Sequence, residues 1–122
     1  AEAEPPAGQP GPAAGKPAVS YEDFAKLDLR VAQVVEARRV EKANRLLEIK
    51  VRLGEETRTI VAGIAQHYAP EDLLGKKIVL LANLEPARIR GIQSQGMLLA
   101  ASDDQRVEVL TLSEVAVGSI VK

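Results

Sequence analysis

Leu47, Ile49, Val51 and Leu53 stand at every second position, alternating with Glu48, Lys50 and Arg52. A period of two belongs to a β-strand with one face in a core and the other in water. Gly54-Glu55-Glu56 follows as a turn, and Thr57 to Ala62 reads as the returning strand. The segment therefore predicts an antiparallel hairpin with a short glycine-containing loop. Whatever else the chain does, it must build a sheet that is covered on one side.

The neighbouring segments extend that sheet. Leu29 to Arg38 is rich in β-branched residues and reads as the first strand. Val34 and Val35 are adjacent apolar residues there, and a bulge at that point would restore the alternation. Gly63 to Leu74 has helical spacing, with Pro70-Glu71-Asp72 suited to a first turn and Gly75 to a stop. Ile78 to Ala82 is a continuous apolar run, read as a central strand. Further strands are expected at Met97–Ala101, Arg106–Leu112 and Val115–Val121, the last interrupted by Gly118. Ser20 can cap a short turn over Tyr21–Lys26, with Phe24 and Leu27 expected to pack it on the core. Five main strands with a short helix between the third and fourth, followed by a C-terminal β extension, is the plan of an all-β OB-fold barrel.

The chain has 122 residues, enough for one domain. Residues 1–20 are dominated by Ala, Gly and Pro without apolar periodicity, and are expected to form a disordered linker or tail. A start at Ala1 suggests a fragment of a longer protein, with the tail as the tether to a preceding domain. Residues 21–122 form the folded domain. No run of 18 apolar residues exists to span a membrane, and the absence of cysteine fits a reducing cytoplasm. The net charge of −1 excludes a uniformly basic surface but not a segregated one.

Catalytic constellations are missing. His67 is the sole histidine and has no cysteine to share a metal, so it reads as structural or surface. Gly75-Lys76-Lys77 lacks the earlier glycine of a phosphate loop, since Pro70 stands there. Ser94 has no nearby histidine base. No enzyme activity, cofactor or metal is expected of this domain. Charge segregation is more informative. Arg38, Arg39, Lys42, Arg45, Lys50, Arg52 and Arg58 outnumber the acids between them, and Lys76, Lys77, Arg88 and Arg90 face Glu85 alone. These segments are the strand 2–3 face and the strand 1–2 and 4–5 loops, which bind nucleic acid in OB barrels.

Within them, Asn83 to Ala101 is an excursion in which Arg88 and Arg90 alternate with Ile89, and Gly91 and Gly96 bracket a polar segment. Two arginines, a hydroxyl, amides and the Met97 thioether would face a phosphate-bearing, base-bearing ligand. Tyr21, Phe24 and Tyr68 are the only aromatic residues, and none lies on those strands. Single-strand binding on stacking platforms is thereby disfavoured, and recognition of a structured RNA by shape and phosphates is favoured.

Asp28–Ala37, the run Arg58–Ser102 and the signature N-L-x-P-x-x-x-x-G-x-x-S-x-G-M from Asn83 to Met97 resemble the tRNA-binding domain family. Its members are OB-fold modules appended to aminoacyl-tRNA synthetases, free-standing tRNA-binding proteins and synthetase-associated cofactors. Within it, Val40–Leu47 and the Ala/Pro tether look most like the C-terminal extension of bacterial methionyl-tRNA synthetases. The resemblance implies structure-dependent tRNA binding that serves a tethered synthetase catalytic domain, and a homodimer formed through the C-terminal half. It places Arg45, Asn83, Arg88, Arg90, Ser94 and Met97 on the tRNA surface. Two departures stand out: Val40–Arg45 differs from the family's usual strand 1–2 segment, and Ala87 replaces a frequent basic residue. The alternative is a free-standing tRNA-binding protein or chaperone-like dimer of the same fold.

Overall fold

A computed structural model describes residues 15–122. The expected tail therefore falls largely outside the described residues, and 15–20 are exposed without regular structure. The first helix, α1 (Tyr21–Ala25), is capped as expected, with Ser20 Oγ accepting from the Asp23 amide at 3.0 Å. It buries no residue, however, and Leu27 is 45% exposed rather than packed on the core. Phe24 is half-buried, its ring 6.3 Å from that of Tyr21.

The sheet is organised around β1 (Leu29–Arg39). Its first half pairs antiparallel with β4 (Lys77–Leu81) and its second half with β2 (Leu47–Leu53). Pairing with β2 steps from Val34↔Val51 to Glu36↔Lys50, skipping Val35, so the expected bulge is present. Val34 is buried while Val35 is 46% exposed, and the extra residue shifts the alternation so that Glu36 follows Val35 outward and Ala37 returns to the core side. Strand β3 (Glu56–Ala62) returns in full register, from Leu47↔Ala62 to Leu53↔Glu56, around Gly54 at φ +74°. The alternating residues Leu47, Ile49 and Val51 are fully buried against Val34, Ile60, Ile78 and Leu80.

The chain then departs from its expected helix. Between Gly63 and Leu74 only α2 (Pro70–Leu73) is helical, after a turn in which His67 and Tyr68 amides reach the Ile64 carbonyl. Pro70 explains the difference, because its ring excludes the preceding residue from helical conformation, and Ala69 is extended at ψ 154°. Leu73 from this short helix is fully buried with the barrel core.

Beyond β4 the strands are short: β5 (Ala87–Ile89), β6 (Ile92–Ser94), β7 (Met97–Leu98), β8 (Ala100–Ser102), β9 (Val107–Val109) and β10 (Thr111–Leu112). The expected fifth strand is thus divided, β7 pairing with β4 and β8 with β9. The next expected strand is likewise divided into β9 and β10, the latter pairing with β4. No strand forms over Val115–Val121. Gly118 adopts φ +93°, and the segment instead gives β1 a bridge at Arg30↔Ile120 and irregular hydrogen bonds to Leu29 and Val31. The sheet order β10-β4-β1-β2-β3 closes when Gln95 donates its amide to the Thr59 carbonyl at 2.8 Å and Val61 donates to Ser94 Oγ at 3.0 Å. The result is the curled sheet of an OB-type barrel. No helix among the described residues is long and apolar enough to cross a membrane.

Candidate nucleic-acid interface

The excursion between β4 and β7 is a hairpin on two fixed feet. Strands β5 and β6 pair Ala87↔Ser94, Arg88↔Gln93 and Ile89↔Ile92, leaving Arg90-Gly91 as the turn. Both turn residues have positive φ, 53° and 81°, the requirement of the two-residue hairpin loop whose twist matches its strands. Arg90 therefore sits at the tip rather than in strand alternation with Arg88, as the sequence pattern had implied. Arg88 is exposed on the strand, with Nη1 donating to the Gly91 carbonyl at 3.0 Å.

Both feet are tied to the barrel. Asn83 Oδ1 accepts from the Asp28 amide at 2.9 Å, while its Nδ2 donates to the Lys26 carbonyl at 2.7 Å. Ser94 is 5% exposed; its hydroxyl accepts from Val61 and donates to the Gly96 carbonyl at 3.2 Å. Gly96 lies at φ +146°, and a side chain there would meet the Leu81 carbonyl at 3.0 Å. Arg58, which the sequence offered only as one cation of a strand face, joins the two feet. Its guanidinium donates to the Ala82 carbonyl and to the Gln95 carbonyl, and pairs with Glu56 at 2.7 Å. Three prominent residues of the signature, Asn83, Ser94 and Gly96, are thus engaged within the fold.

The cations on loops are differently placed. The β1–β2 connection folds on itself, with Val40 bonded to Leu46 and Ala43 to Val40, and Ala43 buried as its anchor. Lys42 takes φ +64° at its apex. Arg45 is exposed, and its carbonyl accepts from the Ala65 amide at 3.0 Å. Arg39 Nη1 donates to the Ala65 carbonyl at 3.2 Å. This loop faces the hairpin tip. Arg38, Arg39, Val40, Glu41, Glu48, Arg90 and Ile92 line an open cleft of about 570 Å³ between them. Arg90 is therefore brought together with Arg38 and Arg39, whereas Arg45 lies outside that lining. Met97, 44% exposed, lines a separate groove.

The strand 2–3 face, expected to be basic, is largely neutralised by cross-strand and same-strand pairs. Arg38 pairs with Glu48 at 2.6 Å and Lys50 with Glu36 at 3.6 Å. Arg52 is held by the Gly54 carbonyl and Gln33 Oε1, each at 3.0 Å. Among the described residues, Arg39 at the end of β1, Lys42 and Arg45 on the β1–β2 loop, and Arg88 and Arg90 on the hairpin are among the cations that have no acidic partner within ion-pair distance. No group of three or more His, Asp and Glu among the described residues could hold a metal.

A sequence model described as "Putative tRNA binding domain" matches residues 29–119. The methionine–tRNA ligase of Deinococcus radiodurans is 58% identical over 93 residues, 76% of this chain but 14% of that protein. That of Thermotoga maritima is 53% identical over 95 residues, 78% of this chain and 15% of its own length. The chain thus spans only about a seventh of these relatives. Among solved structures, a MetRS-related protein from Pyrococcus horikoshii superposes with a TM-score of 0.84 at 36% identity, covering 88% of this chain and all of that one.

Proposed function

Because this chain belongs to the tRNA-binding domain family, we propose that it binds tRNA through the loops at one end of its barrel and serves a methionyl-tRNA synthetase as a non-catalytic module. The observation that carries this reading is the cleft in which Arg90, at the hairpin tip, faces Arg39 at the end of β1, beside the Arg38–Glu48 pair. Arg45, Arg88 and Arg90 supply phosphate contacts, and Met97 an apolar one. Asn83 and Ser94, whose polar atoms are already bonded within the fold, act by holding the hairpin in place.

Phosphate contacts fix position without reading sequence, and a rigid pair of loops recognises the spacing of phosphates on a folded RNA. The domain contributes no chemistry. Its effect is to raise the concentration of tRNA near a tethered catalytic domain in the cytoplasm. Exposed Leu110, Val115 and Ile120 on the C-terminal half suit a second copy of the chain, completing a homodimer.

A salt titration tests the electrostatic core of this reading. Neutralising ~3–5 phosphates gives log K against log salt a slope of roughly −2 to −4.5. Binding without salt dependence would overturn it. Sedimentation with and without tRNA reads the dimer in the same samples.

A second reading rests on the likeness to the chaperone CsaA of Bacillus anthracis, 28% identical with a TM-score of 0.79 over 87% of this chain and all of that one. In it, the module is free-standing and holds unfolded polypeptide. Competition between tRNA and an unfolded reporter protein separates the two.

A further inference from the structure

A second opening lies on the barrel wall, apart from the cationic cleft. Residues 94–99 run beside β3 and are joined to it at Thr59–Gln95 and Val61–Ser94. Past those bonds β7 turns its ladder to β4, pairing Leu81↔Met97 and Leu80↔Leu98, and has none with β3. The two segments part, and a groove of about 390 Å³ opens between Val61–Ile64 and Met97–Ala100. Its floor is buried and apolar, formed by Val61, Ala62, Ile64 and Leu98, and Met97 stands exposed on one wall.

The groove adjoins the basic β1–β2 loop. Gly63 offers no side chain, and a Cβ built there would lie 4.0 Å from both the Arg45 carbonyl and Leu46 Cδ2. Ala65, just past the groove, is bonded to that loop through the Arg45 carbonyl and to the end of β1 through Arg39. The loop that carries Lys42 and Arg45 thus abuts, through its backbone and Leu46, an apolar slot open to solvent.

We propose that this groove takes one unstacked base of the bound tRNA, with Arg45 on an adjoining phosphate. The proposal rests on the tRNA-binding reading and adds a subsite to it. A nucleobase is an apolar-faced plate attached to an anionic backbone, and it needs an apolar wall beside a cation. Bases splayed from the loops of folded RNA are available for such capture. The domain has no aromatic platform on this surface, and the unbranched, polarizable Met97 thioether packs against a ring in its stead. An apolar peptide side chain would fit the walls but would gain nothing from Arg45.

Gly63→Val tests this, because the residue is exposed, lies outside the left-handed region and has room for a side chain. Filling the slot should weaken tRNA binding about ten-fold or more, the scale of one lost base contact. The salt slope should stay at the parent's value, since no phosphate contact is removed. Met97→Ala, at an exposed position, should weaken binding in the same slope-neutral way. Dimethyl sulfate probing should show one base protected by the parent and re-exposed with both variants. Arg45→Gln, by contrast, should make the slope shallower by about 0.9. Unchanged affinity and protection in both variants would overturn the proposal while leaving salt-dependent tRNA binding intact. If the parent itself shows no salt-dependent binding, the underlying reading fails and the proposal with it. Loss of binding to a fluorescein-labelled unfolded protein, with tRNA affinity unchanged, would reassign the groove to polypeptide.

Discussion

Arg58 does for the hairpin what no ladder does. Its side chain spans Ala82 and Gln95, the two points where the excursion leaves and rejoins the barrel. Arg58→Met should cost about 1–3 kcal/mol in denaturant unfolding, because carbonyls lose a charged donor. tRNA affinity should also fall, with the salt slope unaltered. Ser94→Ala leaves the Val61 amide without its partner in a buried place, and should cost a similar ~1–3 kcal/mol. Arg90→Asn reverses that profile. Asn-Gly is the preferred pair for this turn, so thermal unfolding should show stability kept or slightly raised, while affinity falls and the slope becomes shallower by about 0.9. A variant series that moved stability and slope together would contradict this separation of holding residues from contacting ones. Little of it was legible in the chain. A serine between glycines, or an asparagine just ahead of a proline, reads as exposed loop, and only the three-dimensional path of the backbone shows that its hydrogen bonds are already made.

At the scale of elements, legibility follows solvent. Strand β2 and much of β1 have one wet face, so their alternation is written in the sequence, and even the bulge at Val35 is announced by adjacent valines, whereas β3 ends in three consecutive buried residues. Where backbone contacts govern the path, the pattern is silent. The fifth strand divides at Leu99, whose amide bonds to Val79 and whose carbonyl accepts from Leu110, and the irregular Val115–Val121 segment turns at Gly118. The basic strand face misled for a different reason. Arg38 meets Glu48, and Glu36 meets Lys50, only once the β1–β2 register is known. Asp103 sits at the turn of the β8–β9 hairpin. Asp103 accepts from the Gln105 and Arg106 amides at 2.8 and 2.9 Å, and these bonds hold its carboxyl below the ordinary carboxylate range. A depressed folded pKa stabilises fully above the unfolded value, and that contribution disappears as pH falls through the folded one. On acidification the Gln105 and Arg106 amide resonances should therefore shift together below the usual carboxylate pKa. Asp103→Ala should abolish that step.

At the scale of the whole molecule, the barrel keeps its ends distinct. The start of β1 receives α1 through Asn83 and the C-terminal segment through Leu29 and Val31. The far end of β1 carries Arg38 and Arg39 into the cationic cleft. Eleven residues of strand separate the two, up to ~35 Å if straight and less with the bulge. Both ends of the folded domain thus lie at the start of β1, where Asn83 and Met97 also sit, while Arg38, Arg39 and the hairpin tip Arg90 meet at its far end. A carrier attached at either end starts about a strand's length from the cleft at the hairpin tip. Fusion to an unrelated protein should then leave tRNA affinity within a few-fold of that of the free domain, measured by the same titration. In engineering terms the fold is a handle with its grip and its blade at opposite ends, and what it is bolted to need not resemble its natural partner.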